Sequence, residues 1–546
     1  MQSDTMTSKE VLIKFLNSAD GKDIRKYAEL LPSYGLDDIT LYIDDVQKDT
    51  SSASSMRLRI SFSKAGFPDD THDTETKRTA LRDLIARRFW ESCRTFAKGG
   101  DRGGAMNIPR PGQEITDRSS VVMSETFIEV RFKALLPFAG KNVAGSSAIK
   151  MLVDDLTEIS NASLFFGSYK RSKLYDHLNT LATSRKIRSS LREKGLVAFI
   201  ADNSILPRRE DGLAPMIGAV PFRSPDTLRV SFDTADGKTI EGMGIPEGIT
   251  AMIGSPSSGK STIIDAVASG VHDHIPGDGR ELVITADDAS LVSRDVGRTA
   301  RNADVSSFLS GAPYSNGSFS TDNASDSESS ALSATEALET GSRLLIMNDM
   351  NVNHGLLYRD AEISKMLPDG GNMIPVTEIL KGTDVSAIIE CRHHQVADAA
   401  DTVIIMSGHV ATDAVKRKRE HSASVRMPIA RMPMSRNMDV KKGRKDVNAV
   451  ALSSSKVEIG ESIIKLPHPF SDVCQAAAAA DSIIFVKEMM DGTLTMKELT
   501  ERAEKEFRIK INSTDVNIGP ERTAFRANDA ANIINRHPDV IIAQKR

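Results

Sequence analysis

A chain of 546 residues with 70 lysines and arginines against 74 aspartates and glutamates carries a formal net charge of −4. Such a length implies roughly three or four domains at about 150 residues each, and the near balance of charge excludes a globally basic nucleic-acid binder. Three cysteines, Cys93, Cys391 and Cys474, lie far apart without metal-ligand spacing, which argues against a disulfide framework or a cysteine zinc site and fits a reducing compartment.

The opening stretch MQSDTMTSKEVLIKF carries early acids, lacks an apolar core and is not arginine-rich, so neither a secretory nor a transit signal is expected. Lys9 to Asn17 reads as a helix, and Ile39 to Ile43 as a strand on its β-branched and aromatic content. In the next strand, Met56 to Phe62, Arg57 and Arg59 alternate with Leu58 and Ile60. One face is therefore basic, and a solvated face is expected in preference to a phosphate contact. Thr79 to Phe96 is predicted to be an amphipathic helix carrying Trp90, and strands follow at Ser120 to Met123 and Phe127 to Leu135. A helix is expected near Ser146 to Leu156 and another, rich in Arg and Lys, around Ser184 to Lys194. Strands at Leu196 to Ile200 and Leu228 to Phe232 complete a mixed α+β region with a hairpin turn at Asp236-Gly237.

The stretch from Ile249 to Gly270 dominates the chain. Gly254-Ser255-Pro256-Ser257-Ser258-Gly259-Lys260-Ser261 fills G-x-x-x-x-G-K-[ST] at every fixed position and is followed by Thr262. Backbone N–H groups of such a loop cradle phosphates, the lysine reaches the terminal phosphate and the last hydroxyl holds Mg²⁺. An apolar run, Ile249 to Ile253, precedes the loop. Ile263, Ile264, Ala266 and Val267 follow at helical spacing, so the loop falls where a helix N-terminus would face an anion. The competing reading is a Gly/Ser-rich turn that binds nothing.

Beyond it, His272 and His274 sit in a turn cluster, where surface-loop histidines are expected rather than a metal pair. Ser306 to Ser333 is dominated by Ser, Asp and Asn and leads into a helical run, Ala331 to Leu338, whose hydroxyl-rich flank suits capping or a phosphate. Continuous apolar runs at Leu344 to Met347, Val385 to Ile389 and Thr402 to Met406 end in Asn348-Asp349, Glu390-Cys391-Arg392-His393-His394 and Ser407-Gly408. Such runs describe buried strands of a parallel sheet with ligands at one edge. From Lys416 to Lys445 the chain is basic and poorly periodic, which reads equally as a solvated linker or as a nucleic-acid patch. Helices are expected at Asp472 to Met490 and Thr495 to Phe507, with a strand-like Val540 to Ala543. No stretch approaches 18 uninterrupted apolar residues, so no membrane span is expected, and the chain reads as soluble and intracellular.

Taken together, Asp45-Val-Gln-Lys-Asp49, Arg57-Leu-Arg59, Arg110-Pro-Gly-Gln-Glu114, Arg118-Ser-Ser-Val-Val122, Gly195-Leu-Val-Ala-Phe199, Ile205-Leu-Pro-Arg208 and Gly242-Met-Gly-Ile-Pro246, with Asp273 to Arg280 and Phe319 to Ser325 beyond the P-loop, resemble the soluble predicted ATPases of the ABC class over nearly the whole chain. The resemblance implies an α/β fold: an N-terminal α+β lobe (1–220), an ABC-type P-loop domain (221–415), a basic linker (416–455) and a small, mostly helical C-terminal domain (456–546). It also implies ATP and Mg²⁺ as cofactors and a homodimer that binds nucleotide at its interface.

On the same resemblance, Lys260, the loop amides and Thr262 hold phosphates, joined by Ser325 and Ser327 of the signature region. Ser261, Asn348 and Asp349 surround the metal and Asp349 is the base or metal partner, while His393 or His394, in a stretch that instead resembles the switch histidine of ordinary ABC ATPases, is expected to sense the γ-phosphate. Three positions depart from the family. Asn348-Asp349 stands for its Asp-Glu, Asp326 for a glycine where an acid would repel a γ-phosphate, and Cys391 to His394 for a Gly-rich loop. Binding is expected to survive and hydrolysis to be weakened, with a nucleotide-stabilised scaffold, engaging RNA or DNA through 416–445, as the rival.

Overall fold

The computed structural model describes residues 7–210, 212, 214–359, 365–366, 373–417, 424–434, 449–514 and 518–545. Two compact units result, one of residues 1–178 with 507–524 and the other of 179–506 with 525–546. The first boundary thus falls at Leu178 rather than near 220. The expected C-terminal domain is divided, because 507–524 packs within the first unit.

In that first unit, β1 (Ile39–Asp45), β2 (Ser54–Ser61) and, after the helix α1 (Glu75–Phe96), β3 (Phe127–Leu135) pair antiparallel in a sheet of eight strands among the described residues. Leu81, Ile85 and Phe89 recur at helical spacing on α1 and are all buried. The basic face of β2 is not solvated. Arg57 lies 2.7 Å from Asp44 and 2.9 Å from Glu129, and Arg59 and Arg131 lie 2.7 and 3.0 Å from the same Glu129. Burial works against the charge of Glu129, yet Arg59, Arg57 and Arg131 together hold its carboxyl below the usual range. The helix expected near 146–156 forms as Gly145–Ile149 and Leu156–Ser163, joined by a π-helical turn at Lys150–Asp155.

The second unit holds an antiparallel sheet in the order Arg229–Asp233, Thr239–Pro246, Leu196–Ala201, Val283–Thr285. Its central feature is a second sheet. Here β4 (Ile249–Gly254) runs into the loop and α2 (Lys260–Ser269), and β5 (Ala289–Leu291) is followed by α3 (Asp326–Glu339). The remaining strands are β6 (Leu344–Asn348), β7 (Ser386–Glu390), β8 (Thr402–Ser407) and β9 (Val410–Lys416). The strand order is β5-β6-β7-β4-β8-β9, with only β9 antiparallel to its neighbour.

Alternation assigns successive residues of these strands to two cores, which is why they read as unbroken apolar runs. Ile249, Ala251, Leu345, Met347, Ala387 and Ile389 pack with Ala331, Leu332 and Leu338 of α3. Met252, Leu344, Ile346, Ile388 and Ile404 pack with Ile263, Ile264 and Val267 of α2. The sheet is covered on both faces, so its ligand edge is the row of strand carboxyl ends.

The stretch 416–455 is not a linker throughout. After β9 come β10 (Arg431–Met434) and the strand Ala449–Ser453, which packs under α4 (Val473–Val486). Beyond α5 (Ala527–Arg536), β11 (Ile541–Gln544) pairs with β10. Arg431, expected to face solvent or nucleic acid, is 1% exposed, because Glu339 at the end of α3 needs a counter-charge: Arg431 donates from Nε to Oε2 at 2.9 Å and from Nη2 at 2.5 Å. The remaining basic residues at 418–423 and 435–445 lie outside the described residues. His274 is buried, with Nδ1 3.0 Å from Asp278 Oδ2, rather than on a surface loop.

Candidate functional site

The loop from Gly254 to Ser261 owes its shape to its small residues. At Gly254 a Cβ would stand 2.3 Å from the carbonyl oxygen of Met406 and 2.9 Å from Ser258 Oγ, so only glycine fits against β8. Ser257 (φ 60°) and Gly259 (φ 95°) both take positive φ, turning the chain so that Lys260 opens α2. Ser255, Pro256 and Ser257 are exposed, Ser258 and Lys260 are buried, and Ser261 is exposed and Thr262 half-buried at the first turn of the helix. The Lys260 ammonium is held within the loop, donating to the carbonyls of Gly254 and Ser255, each at 2.9 Å. A buried cation thus sits beside a helix N-terminus, which is the electrostatic setting of a phosphate cradle.

Across the sheet edge, Glu390 of β7 stands opposite both Met252 of β4 and Asn348 of β6. Its Oε1 accepts a 3.0 Å hydrogen bond from Ser261 Oγ, whereas its Oε2 is buried without a hydrogen-bond partner among the described residues. Burial, with the charge of Asp349 adding to it, raises the Glu390 carboxyl above its usual range. Asp349 is half-buried. Its Oδ2 lies 3.4 Å from Arg392 Nε, and its Oδ1 is also buried, with no hydrogen-bond partner among the described residues. Asn348 is turned elsewhere: its Oδ1 accepts from Met350 N at 2.8 Å, closing an Asx turn after β6. Cys391 is inert here, its thiol pushed up to about 11 by burial.

His393 caps the short helix His394–Ala399, its Nδ1 accepting from Gln395 N at 3.3 Å. Its ring stacks on Tyr358 at 3.9 Å and on His394 at 4.6 Å, so Nε2 is the ring atom not engaged in the cap. At the start of α3, Ser325 forms a capping box with Glu328: Ser325 Oγ accepts from Glu328 N at 3.3 Å, and Glu328 accepts from Ser325 N at 2.8 Å. Ser327 Oγ lies 3.4 Å from Ser325 Oγ. Asp326 is tied down within the same chain, accepting from Asn353 Nδ2 at 2.8 Å with Arg294 Nη1 3.5 Å away. It therefore does not stand as a bare charge at the helix start.

The structure thus gathers Lys260, Ser261 and Asp349 at one sheet edge and joins them to Glu390, to which sequence reasoning gave no role. The available signal was an acid ending the apolar run Ser386 to Ile389, where a buried strand has no solvent to face. The contacts of Arg294 and Asn353 with Asp326, and of Tyr358 with His393, become visible only once the strands are ordered.

A strand, a glycine-bounded loop and a helix opened by a buried lysine, set in a parallel sheet with carboxylates at the strand ends, define a P-loop nucleotide-binding domain. The family model of the ABC ATPase P-loop domain matches residues 170–442, and that of the N-terminal part of ATPases of the ABC class matches residues 9–167. The chain belongs to the family of ABC-class ATPases. An uncharacterized protein of Methanocaldococcus jannaschii is 31% identical over 154 residues, 26% of this chain and 34% of that protein, so the match spans about a third of the relative's length. A bacterial Atm1-family ABC exporter solved with ATP bound is similar at 13% identity over 50% of each chain, with a TM-score of 0.24. Among the described residues no helix is long and apolar enough to cross a membrane.

Proposed function

We propose that this protein binds Mg-ATP and acts as an ATP-dependent switch of the ABC class with slow hydrolysis, two copies pairing through their P-loop domains. The observation that carries the reading is the buried Lys260 ammonium within the loop, one residue from Ser261. In this role the amides of Ser255 to Lys260 hold the β- and γ-phosphates, with Lys260 turning from the loop carbonyls to the terminal phosphate oxygens. Thr262 continues the cradle into the helix.

The residues fit Mg²⁺. Hard oxygen donors converge, and buried carboxylate oxygens of Asp349 and Glu390 lack hydrogen-bond partners among the described residues, a place that a divalent cation would fill. Ser261 and Asp349 would hold the ion, Asn348 having its side-chain oxygen committed to Met350 N, and the ion when bound would neutralise charge on the β- and γ-phosphate oxygens. Asp349 is the group available to accept a proton from an attacking water, and its shorter side chain and its pairing with Arg392 both work against a fast step. His393 Nε2, on a ring fixed by the cap and by Tyr358, faces the task of sensing the γ-phosphate, with His394 stacked behind it. In this reading a second copy places Ser325 and Ser327 against the same nucleotide.

The Asn348 Asx turn favours one second reading, a nucleotide-stabilised scaffold without useful turnover, since that side chain brings no charge to the site. An RNA or DNA role for 416–445 has less support, because Arg431 is spent on Glu339 and Arg417 on the carbonyls of Ala397 and Ala400. An ATPase assay of the wild type beside Lys260→Ala decides between switch and scaffold: turnover that requires Lys260 supports the switch, and retained binding with no Lys260-dependent turnover supports the scaffold.

A further inference from the structure

We infer that Glu390 supplies the negative charge of the magnesium shell that Asn348 lacks, the acid having been relocated by one strand along the ligand edge of the sheet. The inference rests on the Mg-ATP reading above and names the residue on which the metal at that site depends.

Topology makes the exchange feasible. β7 lies between the loop strand β4 and β6, and Glu390 and Asn348 form one cross-strand pair at the strand ends. A carboxylate moved from the end of β6 to the end of β7 stays on the same edge and comes next to the strand that carries the loop. The hydrogen bond from Ser261 Oγ to Glu390 Oε1 then orients the serine, so that its oxygen lone pairs are left for an ion.

The other oxygen is the sharper observation. Glu390 is 2% exposed, and its Oε2 has no hydrogen-bond partner among the described residues. A buried carboxylate oxygen without a partner is costly, and native proteins keep such an atom where a ligand satisfies it. The nearby cation does not serve: Lys260 donates to the Gly254 and Ser255 carbonyls. Asn348 cannot take the role, since its side-chain oxygen is committed to Met350 N and its amide carries no charge. Magnesium takes one or two carboxylates and keeps several waters, a demand that Asp349 and Glu390 meet together.

A merely structural Glu390 would hold Ser261 equally well as glutamine, and the test uses that difference. ATP affinity is measured by titration calorimetry in EDTA and in excess Mg²⁺, for the wild type, Glu390→Gln and the exchange Asn348→Asp/Glu390→Gln. Mn²⁺ binding is followed in parallel by electron paramagnetic resonance. Glu390→Gln should cut the metal-dependent gain in ATP affinity, and the affinity for Mn²⁺, by about tenfold or more, the scale on which a metal's supporting carboxylate acts. The exchange variant should recover most of that loss. An equal metal-dependent gain in Glu390→Gln overturns the inference, as does an exchange variant no better than the single one. So does a parallel loss of affinity in EDTA, which would make Glu390 a strut for the loop. A wild type that binds no ATP in either buffer overturns the Mg-ATP reading itself.

Discussion

Replacing Arg431 by methionine tests whether the basic stretch after β9 is part of the core. Arg431 is 1% exposed and contacts the buried Glu339 through Nε and Nη2, while Nη2 also donates to Asn535 Oδ1 at 2.8 Å and Nη1 to the Arg301 carbonyl at 3.2 Å. Methionine keeps much of the volume and removes the charge, so Glu339 is left in the interior beside Glu336. Burial already raises the Glu339 carboxyl with Arg431 in place. Removing one partner of such a pair costs about 3–5 kcal/mol, whereas replacing both by apolar groups is often neutral. Arg431→Met/Glu339→Met should therefore regain most of the loss, short of about 1–3 kcal/mol for the Asn535 and Arg301 groups left unpaired. Urea denaturation gives the magnitude, and hydrogen exchange of α3 and β10 shows where protection is lost. A cost below about 1 kcal/mol for Arg431→Met, as for an exposed surface charge, would refute the buried pair and return this stretch to a solvated linker.

Gly254→Ala should strain the contact with the Met406 carbonyl, costing about 1–3 kcal/mol in thermal melts and weakening ATP binding; unchanged values would mean that β8 yields. Stability should fall as pH drops below about 6.5, because burial lowers the His468 imidazole to about 4 and also lowers that of His537. The unfolded chain then takes up protons that the folded chain refuses. A melting profile between pH 7.5 and 5 whose slope is the same in His468→Gln/His537→Gln would contradict this. Asp326→Gly should release Asn353 and Arg294 and lower stability by about 0.5–1.5 kcal/mol, whereas a higher melting temperature would show that the tie is not favourable.

The strand, loop and helix around Lys260 were legible because each piece carries a local signature: an unbroken apolar run, glycines at positions a side chain cannot occupy, and helical spacing afterwards. The buried strands of the same sheet were legible for the same reason, with ends within a residue or two. Charges were not. Arg57 meets Glu129 across 72 positions, Arg431 meets Glu339 across 92, and Ser261 meets Glu390 across 129, separations over which periodicity carries no information. The start of α3 was placed five residues late, since Ser325 to Ser330 resemble a loop until the capping box with Glu328 is seen to nucleate a helix. The resemblance to ABC-class ATPases suggested roles for Asn348 and Asp349 but had no place for Glu390, because strand order, and not motif, brings that residue to Ser261.

The most direct test of the central claim is calorimetric titration of Mg-ATP into the wild type and Lys260→Ala. The account predicts binding by the wild type and a loss of about tenfold or more in the variant, about 1.4 kcal/mol or above. Equal affinities, or no binding by the wild type, would contradict it.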